Sequence, residues 1–192
     1  MKVIYEKIWN IALPYQDKRD DKGHAEITTN YAKKLLKTEP GDETIVIPAI
    51  MLHDIGWSQL SKEERFRIFD DSASKDAKLE VRYKHQDQGV NLAKDILNQI
   101  SYPVEKIKDI LEIISQHDTR KGFISENEGL VRDADKLWRF SKVGFSKDIE
   151  RSNHTSKSLC EKLAGNIEKP GFFYSAKSKD IAYNELRLRK EE

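Results

Sequence analysis

The sequence predicts an all-α fold. Three observations carry this reading. Apolar residues recur at helical spacing almost everywhere along the chain. Proline, glycine and polar runs divide it into segments of helical length. Sustained strand alternation, internal repeats and low-complexity stretches are absent. About six to eight helices are expected, in one domain with a proper core plus a short extension, because 192 residues are enough for both.

The elements follow in order. Residues 2–15, with Val3, Ile4, Ile8, Ile11 and Ala12, form a first helix ending near Pro14. The polar run QDKRDDKG is a loop. A second helix runs from about His24 to Lys37 and is closed by the turn signal EPGD. A third starts near Asp42, an N-cap type, and continues to Gly56, a C-terminal stop. Pro48 inside it predicts a kink or a late start. Residues 58–80 are polar and irregular, which predicts a mobile loop with a short helix, a candidate lid. Further helices are expected over 81–100, 103–117 and 127–142. The tail holds two more, about 147–167 and 176–190, separated by a KPGFFY turn.

Composition narrows the function. Charged residues make up 35% and the net charge is +1, which argues against a nucleic-acid binder driven by its own field. One cysteine, Cys160, excludes an internal disulfide and suits a reducing compartment. The N-terminal stretch carries charge inside its apolar run and does not read as a signal peptide. No uncharged apolar stretch approaches the ~20 residues of a membrane span. A cytoplasmic protein with no membrane partner is expected.

The histidines supply the chemistry. His24 shares a helical face with Ile27, Tyr31 and Leu35; His85 shares one with Gly89, Leu92 and Ile96. His117 follows Ile114 and Ile110 at a helix end. His53 and Asp54 close the apolar run MLHDIGW. A lone buried histidine is ordinarily a core group bonded to a backbone carbonyl. Four on apolar faces, one beside an aspartate, call for something that pairs them, and a divalent cation satisfies imidazoles and carboxylates together. In VRDADKLWRF either Asp133 or Asp135 can face the core, and helical spacing does not choose between them. His154, in RSNHTSKS, has no apolar face beneath it and reads as surface.

The ordered stretches GHAEITTNYAKKLL, IPAIMLHDIG and VRDADKLW resemble the HD-domain superfamily of metal-dependent phosphohydrolases over residues 20–142. The resemblance implies an HD-like helical bundle over 1–142, with a metal site in the core between helices. It implies His24, His53, Asp54 and Asp135 as ligands, choosing Asp135 over Asp133. HQDQGVNLAKDIL and EIISQHD are similar to segments of two-metal members, which adds His85 and His117 and makes Asp54 a bridge. Trp57 stands where two-metal members often carry lysine, and the motifs of the cyclic-dinucleotide and alarmone hydrolases are absent. A generic phosphohydrolase of this superfamily remains.

From the same resemblance come one or two divalent ions (Mn, Fe, Mg, Zn or Ni) and a small phosphorylated substrate, expected to be a nucleotide. Asp54 and Asp118 are the candidate catalytic carboxylates, Asp118 as a base or as the group that orients an imidazole. Arg120, Lys121, Lys136 and Arg139 flank the ligands in sequence and are candidate substrate contacts. Trp57 could stack on a base or pack in the core. Residues 143–192 form a C-terminal extension expected to pack on the domain or at a homodimer contact. The rival functions are a di-iron oxygenase with the same ligands and a non-catalytic nucleotide sensor.

Overall fold

The computed structural model describes residues 2–152 and 154–191. Among them are ten α-helices and no strand, so the all-α class holds and the helix count exceeds the expected range. In chain order they are α1 (Val3–Ala12), α2 (His24–Leu35), α3 (Glu43–Leu52), α4 (Lys62–Arg67), α5 (Lys75–Gln99), α6 (Val104–Gln116), α7 (Glu126–Leu137), α8 (Lys142–Glu150), α9 (Ser156–Ile167) and α10 (Ala176–Glu191). Short 3-10 turns follow α1, α3 and α7.

The helix boundaries have local causes. Ser61 and Glu64 form a reciprocal capping box that starts α4, the short helix expected within 58–80. Ser74 accepts from the Ala77 amide and starts α5 six residues before the expected 81. The expected 147–167 helix is two helices, because Ser141 caps α8 and Thr155 caps α9 separately.

Helix α3 is the axis of the fold. Its residues Ile45 to Leu52 are all buried, so it is apolar on every side and needs cover all round. α1, α2, α6 and α7 supply that cover. The helix passes through Pro48 without a break. The proline removes the N–H that would have reached the Thr44 carbonyl, and the Tyr102 hydroxyl donates to that carbonyl instead, at 2.7 Å. Asp42 caps α3, accepting from the Thr44 amide at 2.8 Å, and is paired with Lys106 at 2.6 Å.

Gly56 is not the helix stop expected from sequence. α3 ends at Leu52, and Gly56 lies in the 3-10 turn where that turn meets α5. A Cβ there would stand 1.9 Å from the His85 carbonyl and 2.4 Å from the Gly89 nitrogen. The residue is small because two backbones nearly touch, and that contact brings His85 towards His53 and Asp54.

Beyond residue 142, Leu159, Cys160, Leu163, Ile167, Phe173, Ile181 and Leu186 join the same hydrophobic cluster as α1 and α3. α10 packs on α7 and α9, and Tyr31 on α2 donates to Glu185 at 3.0 Å.

Candidate metal centre

Each candidate ligand sits at or near a place where a helix begins or ends, or where two helices cross. His24 opens α2, directly after Gly23 with φ +87. His53 and His117 stand just past α3 and α6. There the two imidazoles use one local device. Nδ1 bonds the carbonyl three residues back, Ile50 at 2.7 Å and Ile114 at 2.8 Å, which leaves Nε2 pointing inward. His85 lies within α5 opposite Gly56, and Asp135 lies on α7. All four histidines are buried, His85 completely.

The donor atoms converge in two groups that share Asp54. In the first, His24 Nε2 is 3.2 Å from His53 Nε2, 3.3 Å from Asp54 Oδ2 and 3.3 Å from Asp135 Oδ1. His53 Nε2 is 3.5 Å from Asp54 Oδ2 and 3.4 Å from Asp135 Oδ1. In the second, the other oxygen of Asp54, Oδ1, is 3.4 Å from His117 Nε2 and 3.7 Å from His85 Nε2, and these two nitrogens are 3.3 Å apart. A cation with bonds of about 2.1 Å separates its ligands by about 3.4 Å if tetrahedral and about 3.0 Å if octahedral. The first group matches that spacing at His24, His53 and Asp54, with Asp135 at the same distance from the two histidines, and the second matches it with three donors at a slightly wider spread. The residues present therefore fit divalent metal.

The charges agree. Burial pushes Asp54 up, but the Arg19 guanidinium and His53 hold its carboxyl well below the usual range. Asp135 is likewise buried yet held well down by His24 and His53. Burial opposes a proton on His53, but Asp54 and Asp135 overcome it and raise the imidazole to about 9. His85 goes the other way, to about 3, through burial and the neighbouring His117. The two carboxylates of the first group are thus matched by positive charge on His53 and Arg19.

Arg19 and Arg82 were not legible as site residues, while Trp57, left open between stacking on a base and packing in the core, is packed. Trp57 is 1% exposed, stacks on His85 with ring centroids 3.9 Å apart and donates its indole N–H to Asp54 Oδ1 at 3.0 Å. It is a wall of the cluster, which leaves no face for a substrate base. Arg19, from the loop before α2, pairs with Asp54 Oδ2 and lies over the Trp57 ring at 4.7 Å. Its signal, one arginine in a charged loop, is no different from its neighbours in sequence. Arg82 pairs with Asp118 at 2.9 Å, and Asp118 Oδ2 is 3.7 Å from His85 Nε2.

A cleft of about 430 Å³ opens onto His24, Asp118 and Asp135. Lys136 and Arg139 line it, as do Arg19, Arg82, Arg151 and Lys162. Arg139 is paired with Asp148 at 2.6 Å, and Lys136 donates to the Phe172 carbonyl. Arg120 and Lys121 do not line it. Arg120 is turned to Glu112 and Glu128, because α6 and α7 offer it two carboxylates. His154, read as surface, borders the cleft beside Lys162, with Nε2 and Nζ 3.0 Å apart. Asp133 is fully buried away from the cluster and accepts from the Tyr174 and Ser175 amides at 2.8 and 2.9 Å. It fixes the approach to α10, while Asp135 faces the histidines.

With this geometry in hand, the family is decided by one match: the HD-domain family model covers residues 22–139. The chain belongs to the HD-domain family. Among solved structures, the crystal structure of a predicted HD superfamily hydrolase from an uncultured Thermotogales bacterium is similar, with TM-score 0.63 and 17% identity over 97% of this chain and 87% of that one. At that identity the likeness concerns the fold. No curated protein matches the sequence. HD membership with a histidine–aspartate cluster supports metal-dependent phosphohydrolase chemistry in general terms. No helix among the described residues is long and apolar enough to cross a membrane.

Proposed function

We propose that this HD protein hydrolyses a phosphate ester or anhydride of a nucleotide-sized substrate. The observation that supports it most is the placement of Asp54. Its two oxygens face two histidine pairs, and the cluster opens onto a cleft whose walls carry arginine and lysine. A pocket of that volume suits a small organic molecule. Its cations favour a phosphorylated substrate over the oxygenase alternative.

In this reading His24, His53, Asp54 and Asp135 hold one divalent ion, and Asp54, His85 and His117 hold a second. Bound metal supplies hydroxide at neutral pH and offsets charge on phosphoryl oxygens. Arg19, at the junction of cluster and cleft, faces the substrate's phosphoryl group, with Lys136 and Arg139 further out. Asp118 is buried, yet His117 and Arg82 lower its carboxyl below the ordinary value, which makes it a weak proton acceptor. Its Oδ2 stands 3.7 Å from the His85 nitrogen that faces Asp54, so a place as a further oxygen at the edge of the second ion suits it better than that of general base. The 3-10 turn with Trp57 seals the inner side against water.

The test joins elemental analysis of purified protein to a panel of phosphate esters and nucleotides on the same sample. Phosphate release with manganese or magnesium, lost in His53→Ala together with bound metal, is expected. Oxygen consumption by an iron-loaded sample without phosphate release would select the oxygenase. Tight nucleotide binding without turnover would select the sensor.

A further inference from the structure

The Arg19 loop adopts an unfavourable backbone. Asp17 and Asp20 have φ of +55 and +58, a region costly for residues other than glycine. Such a backbone persists only where its surroundings hold it. One half is held locally, since the Asp17 carboxylate accepts from the Gly23 and Ala25 amides at 2.7 and 3.2 Å. The half that carries Arg19 is held from far along the chain. Arg151, just past α8, donates Nη2 to the Arg19 carbonyl at 2.6 Å and to the Asp20 carbonyl at 2.5 Å. Lys147 reaches the Asp20 carboxylate at 3.3 Å. The Arg151 guanidinium also lies over the Phe69 ring, 4.6 Å from its centroid, in the turn after α4.

We propose that Arg151 is a positioning residue for anion binding. It ties the Arg19 loop to the Phe69 turn across the mouth of the cleft and so fixes the Arg19 guanidinium beside Asp54. Arg151 lies beyond the 22–139 stretch that matches the family, so the chain's C-terminal part completes a site whose metal cluster is all inside that stretch. Both carbonyls are bonded by one nitrogen, Nη2, while the guanidinium plane stacks on the ring; a lysine ammonium could reach the carbonyls but has no plane to stack. The inference rests on the reading of Arg19 as the cation that faces the phosphoryl group.

The test is a double-mutant cycle read by calorimetric binding of inorganic phosphate to manganese-loaded protein. Arg19→Gln and Arg151→Gln should each weaken phosphate about tenfold or more, the scale of a lost charge-assisted bond. In the Arg19→Gln background, Arg151→Gln should add less than about twofold, because it acts through Arg19. Arg151→Lys should recover only part of the loss. Hydrogen exchange on metal-free Arg151→Gln should quicken over residues 17–22 and stay unchanged in α3 and α7, which separates loop release from unfolding.

Full additivity of the two substitutions, complete recovery by lysine, or unaltered exchange in the loop would each overturn the proposal while leaving the phosphohydrolase reading intact. Absence of phosphate binding by the unsubstituted protein would instead sink that reading, and this inference with it.

Discussion

The two halves of the cluster share Asp54 but are built differently. In the His24–His53 half both imidazoles stand within 3.5 Å of two carboxylates, Asp54 and Asp135. The His85–His117 half has three donors spread over 3.3–3.7 Å; the oxygen shared by both its histidines is the one lent by Asp54, which also accepts from Trp57, while Asp118 approaches His85 alone, at 3.7 Å. The first half raises His53 to about 9, whereas the second is split, with His117 raised, despite its burial, by Asp54, and His85 depressed to about 3. Carboxylate count sets how strongly a site draws a cation, so the first half should bind metal tightly and the second weakly.

The largest effect should come from breaking what the halves share. Asp54→Ala should abolish binding at both, with activity down on the order of a thousandfold or more, measured as metal content and initial rate on one sample. Retention of a full ion would show that the halves are independent.

Removing one half at a time sharpens the contrast. His53→Ala should empty the tight half and leave no activity, whereas His85→Ala should remove the weak ion alone. Manganese content by elemental analysis after dialysis reads both. Trp57→Phe keeps the ring on His85 but loses the N–H to Asp54 Oδ1. It should weaken the second ion about tenfold and barely alter the first.

The smallest effect is in pH. His53 must lose its proton to bind metal. Its raised value means that a proton competes below about 9, so affinity of the first half should climb as pH rises from 6.5 to 9 and level off above. The steepest change should be about tenfold per unit. The sign reverses for folding without metal. A histidine raised from 6.5 to about 9 stabilises the fold fully below 6.5, and that contribution is lost as pH climbs through 9. Thermal unfolding of chelated protein should therefore shift downwards over that range, and a flat profile would show His53 is not held by the two carboxylates.

Much of this was legible in the sequence. Candidate ligands such as His53 and His117 lie where helical periodicity stops, so a histidine at the end of an apolar run, as in MLHDIG or EIISQH, marks a side chain turned inward by a helix terminus. The family likeness chose between Asp133 and Asp135, and here Asp135 faces the histidines while Asp133 takes the amides before α10. Spacing alone could not choose, because α7 is covered on both sides, Asp133 turning to the segment before α10 and Asp135, about 200° round the helix, to the histidines. Helix boundaries were less legible. Ser61 and Ser74 cap helices in a stretch read as a loop with one short helix, and Thr155 starts a second helix inside a stretch read as a single one, because exposed helices need no apolar stripe. The cleft cations were least legible of all. Arg19 and Arg151 stand 132 residues apart in the chain and meet only through tertiary packing, whereas Arg120, next to a candidate ligand, is captured by acidic neighbours on α6 and α7.

The most direct test is a calorimetric titration of chelated protein with manganese, repeated on His85→Ala. The unsubstituted chain should take up two ions in two resolved phases, and the variant should lose the weaker phase while keeping the tighter one. A single phase that disappears altogether in His85→Ala would contradict the unequal, Asp54-bridged pair of sites.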